Sequence, residues 1–593
     1  MIEPAETQNT QSSEDLVSSH ELLNAVRGQL QTVATGDAPF SSLNDRHHQT
    51  HPILSDGEIE RMRRFGTLQT YHAGEQLLQS GMPMPGMFVL LKGRVSITRR
   101  DGLGRVSEVI EQQPRRFVAE IGQLSGRPSL VDAHAVDDLT VILIPPERLR
   151  ALLVAEAELG ERIMRSLILR RVSLIERGTG PILLGKSDDA RLILLQGFLR
   201  RNGHPHTVID TDIDPDAIQL LERMSRSDAD LPLVICPDGT VLHAPDENQL
   251  ASQLGWLPEF DLAHTYDVVI VGAGPAGLAT AVYAASEGLS VTVFDSRAPG
   301  GQAGASSRIE NYLGFPTGIS GQALAGRAFV QAQKFGAHIA IPSQIKALHC
   351  DRLPLEIELM DGKRIASHTI VIATGAAYRK PAIAGLEKFE GHGTYYWASP
   401  VEAKLCKGCE VALVGGGNSA GQAVVYLASH ASHVHLLIRG EGLEASMSKY
   451  LIDRIGALPN VTLHQRTSIE SMEGEEGALS ALNCTTSDGK LKLDVRHLFL
   501  FTGAVPNTSW LQGCSVDTDH GGFVLTGNDV TGSTFGGTKS LETSVPGVFA
   551  IGDVRSASTK RVAAAVGEGA AVVSQIHGVL AGRQELAQRA NTT

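Results

Sequence analysis

Gly272, Gly274 and Gly277 stand in the order G-x-G-x-x-G within residues 266–295, YDVVIVGAGPAGLATAVYAASEGLSVTVFD. That spacing suits the phosphates of a dinucleotide. The first glycine permits a tight turn, the second lets a pyrophosphate approach the backbone, and the third lets helix and strand pack closely. A helix N-terminus adds free N–H groups and the positive end of a dipole. Asp295 is placed to accept from a ribose hydroxyl. These residues need a frame: a buried parallel strand over 268–272, a helix over 278–287 and a second strand over 289–294. A second loop, VALVGGGNSA over 411–420, repeats the pattern at Gly415, Gly417 and Ala420, with a strand over 433–438 after it. Two such loops predict one dinucleotide held as a prosthetic group and one that exchanges.

The chain has 593 residues, enough for several domains. Its 42% hydrophobic and 20% charged content is that of a globular protein with a large core. A formal net charge of −13 argues against nucleic acid as a partner, which needs basic faces. No apolar run reaches the roughly 20 residues of a membrane span, so no membrane role is expected. The first 20 residues have neither the basic start nor the apolar centre of a signal peptide. Six scattered cysteines suit a reducing cytoplasm. Two of them, Cys406 and Cys409, form a C-x-x-C. Two are too few for structural zinc, and no metal site is expected.

Residues 1–50 are polar and read as a disordered tail, with a short helix over 21–30. Over 51–177, short apolar runs alternate with glycine turns, as in GEQLLQSGMPMPGMFVLLKGRVSITRRDG, and predict a β jelly roll with a helix over 146–173. This segment resembles a cyclic-nucleotide-binding-like domain. Its cassette would be FVAEIGQLSGRPSLVDA, residues 117–133. Glu120 matches the ribose-binding acid of that family, but Ala119 replaces a glycine and Ser129 stands where an arginine should follow Pro128. A cyclic phosphate would lack its strongest bidentate partner, so a cyclic nucleotide is not expected to bind. Residues 178–187 read as a linker. Residues 186–258 then resemble a thioredoxin- or glutaredoxin-like domain, with helices over 190–203, 215–227 and 247–254 and Pro232 at that family's cis-proline. Its C-x-x-C is missing, because residues 187–190 are Ser-Asp-Asp-Ala.

The last 330 residues or so resemble low-molecular-weight thioredoxin reductases. GAGPAGLATAVYAA, Gly300-Gly301-Gln302, Ile309-Glu310-Asn311-Tyr312, ATGAAYR, GGGNSA, Pro506-Asn507-Thr508 and GVFAIGDVR carry the likeness. It implies an α/β architecture of two Rossmann-type domains: an FAD domain in two parts, 264–380 and 499–585, around an NAD(P)H domain over 381–498. It implies FAD on Gly272, Gly274, Gly277, Asp295, Gln302, Asn311, Asp553 and the Lys560-Arg561-Val562 segment. It implies NADPH, with NADH possible in its place, on Gly415, Gly417, Asn418, Ser419, Ala420 and Arg439. Hydride would pass from nicotinamide to flavin, and a homodimer is expected.

The chain departs from that family twice. The redox Cys-x-x-Cys should follow a tyrosine, yet residues 396–400 read Tyr-Trp-Ala-Ser-Pro, so Trp397 and Pro400 take the cysteine positions. Trp397 is then the flavin-facing residue. Cys406 and Cys409 come too late in the chain for that place. The second strand ends Ile438-Arg439-Gly440, which leaves one guanidinium for a 2′-phosphate. The expected function is a flavin-dependent NAD(P)H oxidoreductase without the usual dithiol, whose electron acceptor is unknown and could be a small redox protein. The alternative is a redox or ligand sensor, with the N-terminal modules as inputs.

Overall fold

The computed structural model describes residues 47–100, 106–176, 180–214, 231–257, 259–391, 393–475, 478–530 and 540–590. Of the tail expected over 1–50, residues 1–46 lie outside them, as does the helix over 215–227, but His47–Thr50 is not disordered: it forms a short helix with Thr50 buried. The chain divides into two compact units, Met1–Leu192 with His204–Gly255, and Ile193–Gly203 with Trp256–Thr593.

In the first unit, two four-stranded antiparallel sheets build the jelly roll. One runs Thr67–Tyr71, Leu139–Ile144, Met87–Lys92, Phe117–Val118; the other runs Gln76–Leu78, Asp132–Ala135, Val95–Arg100, Val106–Gln112. Strand Met87–Lys92 is apolar on both sides for a reason. Met87 and Val89 pack with the helices around Leu149, Leu152 and Ile163, while Phe88 and Leu90 pack with Val95, Ile97 and Ala133 of the other sheet. The single helix expected over 146–173 is two, Pro146–Ala155 and Ala157–Glu176. Glu156 leaves helical backbone at φ −114, ψ 83, and its carboxylate takes Arg61 and Arg64.

A smaller sheet has the order Thr207–Asp210, Ile182–Gly185, Leu233–Ile235, Val241–His243. The first pair is parallel and the others antiparallel, and the Leu231–Pro232 bond is cis. Residues 178–187 are therefore not merely a linker. Ile182–Gly185 is buried along its whole length and forms a central strand.

The second unit holds the two glycine loops. Thr265–Val271 pairs in parallel with Val291–Phe294 and with Arg364–Ile372, and Val548–Ala550 returns late in the chain beside Arg364–Ile372. The second sheet is wholly parallel, in the order Thr394–Tyr395, His497–Leu500, Glu410–Val414, His433–Leu437, Val461–His464. The expected boundary at 498/499 falls inside its strand His497–Leu500. Phe499 is buried in this sheet's own core with Val411 and Leu413, so the strand belongs to the second Rossmann domain. The two crossings between the domains, Ala376–Tyr378 and Ala504–Pro506, pair as a short antiparallel ribbon.

Helix Val562–Ala590 packs on helix Pro275–Ser286. A Cβ at Gly569 would sit 2.5 Å from Ala276 O, so only glycine allows the approach. Contrary to the sequence expectation, part of this helix, Val562–Glu585, is long and apolar enough to cross a membrane. Its Val572, Val573 and Ile576 are buried against the first Rossmann sheet and helix.

Candidate dinucleotide cavity

The first loop is shaped by what a side chain would strike. Gly272 has φ +111, and a Cβ there would lie 2.2 Å from Ala373 O; at Gly277 it would lie 1.9 Å from Gly272 O. At Gly274 it would meet nothing within 4 Å. The turn is thus closed against the protein and open where a phosphate would approach. Gly274 is the N-cap of helix Pro275–Ser286, whose first N–H groups have no intrahelical acceptor.

The loop opens into a cavity of about 800 Å³. Of the residues expected to hold FAD, Gly272, Gly274, Asp295, Gln302, Asn311, Asp553, Lys560, Arg561 and Val562 line it, and Gly277 serves packing instead. Asp295 first organises the loop. Its carboxylate accepts from Ala273 N at 2.9 Å, Arg297 N at 2.9 Å and Ala298 N at 3.1 Å. A carboxylate has about four acceptor sites, which leaves one for a ribose hydroxyl. Gln302 Nε2 donates to Ala376 O. Burial holds the Asp553 carboxyl above its ordinary value while Lys560 pulls it down, and Lys560 Nζ donates to Asp553 O at 2.6 Å. Among the described residues, five cationic side chains line the cavity (Arg201, Arg297, Lys380, Lys560, Arg561) against two carboxylates, Asp295 and Asp553. That excess suits an anionic ligand.

The second loop meets the same space. Gly415 has φ +149 and packs on Phe501 and Ala420, while a Cβ on Gly417 would meet nothing within 4 Å. Asn418 and Ser419 line the cavity; Gly415, Gly417, Ala420 and Arg439 do not. Asn418 Oδ1 accepts from Ser448 N at 2.7 Å, which fixes the loop to the next helix. Arg439 is exposed at the strand end, with no hydrogen bond or ion pair among the described residues. Lys449, which opens the next helix, is paired with Asp453. Tyr378, on the crossing ribbon, stands edge-on to Phe501 at 5.2 Å and lines the cavity.

Trp397 also lines the cavity and is held from both sides. Its Nε1 donates to Glu402 Oε1 at 2.9 Å, and Glu402 Oε2 accepts from Ser399 N at 2.9 Å. The Arg297 guanidinium lies 5.4 Å from the ring centroid. Pro400 opens the helix Pro400–Leu405 with Ser399 as its cap. Cys406 ends that helix, fully buried, and burial pushes its thiol well above its ordinary value, with Cys409 and Glu402 adding to the shift. Among the described residues no cysteine lines the cavity.

Sequence reasoning missed Arg201, Arg297 and Lys380. Arg297, two residues after Asp295, could have been suspected as a strand-end cation; nothing in the sequence points to Arg201.

Residues 266–569 match the sequence model of the pyridine nucleotide-disulphide oxidoreductases. The chain belongs to that family. Among family relatives, NADPH-dependent thioredoxin reductase 3 of Arabidopsis thaliana is 34% identical over 311 residues, 51% of this chain and 56% of that protein. The thioredoxin reductase of Mycoplasma genitalium is 31% identical over 313 residues, 52% of this chain and 94% of that protein. The chain thus spans little more than half of the Arabidopsis relative. The crystal structure of T. acidophilum thioredoxin reductase is 27% identical, covers 53% of this chain and 98% of its own, and superposes with a TM-score of 0.49. Outside the oxidoreductase region, residues 68–156 match the cyclic nucleotide-binding domain.

That domain's cassette has its own geometry. Glu120 is 3% exposed and its carboxylate is paired with Arg171, from helix Ala157–Glu176. Arg127 is half-buried, and desolvation pushes its guanidinium down to about 10, with Arg171 pushing further and Glu120 opposing. Ser129, the residue after Pro128, turns its hydroxyl onto Val131 O at 2.8 Å.

Proposed function

We propose that the chain is an FAD-dependent NAD(P)H oxidoreductase that passes electrons to an acceptor other than an internal dithiol. One observation carries the reading: Gly274 of one loop, Asn418 of the other and Trp397 line a single cavity, with no cysteine among its described lining residues. FAD belongs on the first loop and NADPH on the second, with Arg439 for a 2′-phosphate and NADH as the competing donor. A bound flavin takes a hydride from a reduced nicotinamide and gives its electrons to the acceptor. Asp295 holds the phosphate turn, Gln302 ties the flavin loop to the crossing ribbon, and Lys560 and Arg561 supply positive charge. Trp397, locked by Glu402 and covered by Arg297, stands where a redox cysteine would and keeps water from that face. It cannot exchange thiols.

The named relatives are thioredoxin reductases, so a small redox protein is the first acceptor class to test, followed by a quinone, a ferredoxin and dioxygen. We take the protein to work as a homodimer in a reducing cytoplasm. Anaerobic stopped-flow mixing with NADPH and NADH, followed by an acceptor panel, tests the reading. The expected result is a yellow protein whose flavin is reduced, with turnover on artificial acceptors and none on thioredoxin or a small disulfide reagent. Disulfide reductase activity that disappears in the Cys406→Ser/Cys409→Ser variant would overturn it.

A further inference from the structure

Four segments of the second Rossmann domain meet where strand His433–Leu437 ends. A Cβ on Gly416, in the second glycine loop, would lie 3.5 Å from Ser446 Oγ and 3.7 Å from Ile438 Cγ2, and Ser446 Oγ donates to Gly416 O at 2.8 Å. The neighbouring strand Val461–His464 runs parallel, with Leu437 opposite His464. Arg439 and Arg466 stand at matching places just beyond that last pair. The backbone keeps the match past the strands. Thr467 N donates to Ile438 O at 2.9 Å, and Arg466 N donates to Gly440 O at 3.0 Å. Arg466 has φ +46, a left-handed conformation that few residues other than glycine adopt. Its Nη2 donates to Glu441 Oε1 at 2.5 Å. Both side chains of that pair face solvent, 58% and 81% exposed.

We propose that Arg466 is a specificity-determining residue that binds the 2′-phosphate of NADPH together with Arg439, and that Glu441 is the acid this phosphate displaces. This rests on the reading that the second glycine loop holds a nicotinamide dinucleotide. The end of strand His433–Leu437 offers Arg439 alone, because Gly440 follows it. The neighbouring strand supplies the second guanidinium. An exposed pair of arginine and carboxylate is weak, because water solvates both partners and holding them together costs side-chain entropy. A phosphate brings close to two negative charges and three acceptor oxygens, more than Glu441 can offer. Arginines match that geometry with charge-assisted hydrogen bonds. NADH lacks the group and gains nothing by displacing Glu441. Selectivity for the phosphorylated nucleotide then lies in the balance between Arg466 and Glu441.

The test uses the full chain with NADP+ and NAD+, so that no hydride moves. Dissociation constants are measured by isothermal titration calorimetry, over a range of salt, for the wild type and for Arg466→Gln, Arg466→Lys and Glu441→Gln. The expected result for Arg466→Gln is a preference for NADP+ over NAD+ that falls about tenfold, as the loss of a hydrogen bond to a charged group implies. Its NADP+ affinity should also depend less on salt. Arg466→Lys should stay near the wild type, and Glu441→Gln should bind NADP+ more tightly with NAD+ unchanged. An unaltered preference in Arg466→Gln would overturn the proposal. If that variant folds poorly, Glu441→Gln decides, and no gain in NADP+ affinity there would overturn it too. So would a wild type that binds NAD+ as tightly as NADP+. A wild type that binds neither nucleotide would instead overturn the assignment of the second loop, so the two failures are distinct.

Discussion

The cassette at Glu120 and the glycine loop at Gly274 both carry a family's binding motif, and the protein treats them in opposite ways. In the cassette, the acid that would face a ribose is 3% exposed and already neutralised by Arg171, and the position that would face a phosphate is a serine turned onto Val131 O. At Gly274, a Cβ would meet no atom of the described residues within 4 Å beyond its own chain neighbours, and the surrounding cations line open space. A buried carboxylate must find a partner or shift its proton equilibrium. Glu120 found one inside the protein, whereas the glycine turn at Gly274 is open on the side where a Cβ would stand. The difference teaches that a motif is worth what the tertiary structure leaves its atoms free to touch.

The comparison can be broken at either end. The largest effect is expected from Gly274→Val, whose side chain would enter the space of the pyrophosphate. The variant should purify without FAD while its jelly roll keeps its stability; full FAD content in it would remove the first loop from the site. Next comes Arg171→Met, which strands a buried carboxylate at a cost of about 3–5 kcal/mol. Urea unfolding should show that loss, and the Glu120→Gln/Arg171→Met pair should recover most of it. Calorimetry with cyclic AMP should show no binding to the wild type, and low-micromolar affinity would mean that Arg171 gives way to a ligand. The smallest effect is expected from Cys406→Ser/Cys409→Ser. Turnover on an artificial acceptor should stay within about twofold, and stability should fall by roughly 1–3 kcal/mol because a hydroxyl replaces a buried thiol. A collapse of flavin reduction in that variant would make the C-x-x-C part of the cavity's chemistry.

Local chemistry made much of this readable from the sequence. A G-x-G-x-x-G turn needs glycine because its first and third residues would clash at about 2 Å with any Cβ, so Gly272 and Gly277 mark the loop wherever it sits. Apolar runs at 268–271 and 411–413 mark strands buried on both faces. The tryptophan and proline at 397 and 400, and the serine at 129, are matters of residue type alone. Other features depend on which distant elements meet. The strand His497–Leu500 joined the second sheet because its register with Glu410–Val414 buries Phe499, a pairing that no local pattern announces. Arg171 on Glu120 and Arg201 beside Gly301 are unremarkable helix cations in the sequence, and only the packing of their helices brings each to its partner. Backbone sterics are local and leave their signature in residue type, whereas an ion pair is a through-space fact that only the folded chain decides.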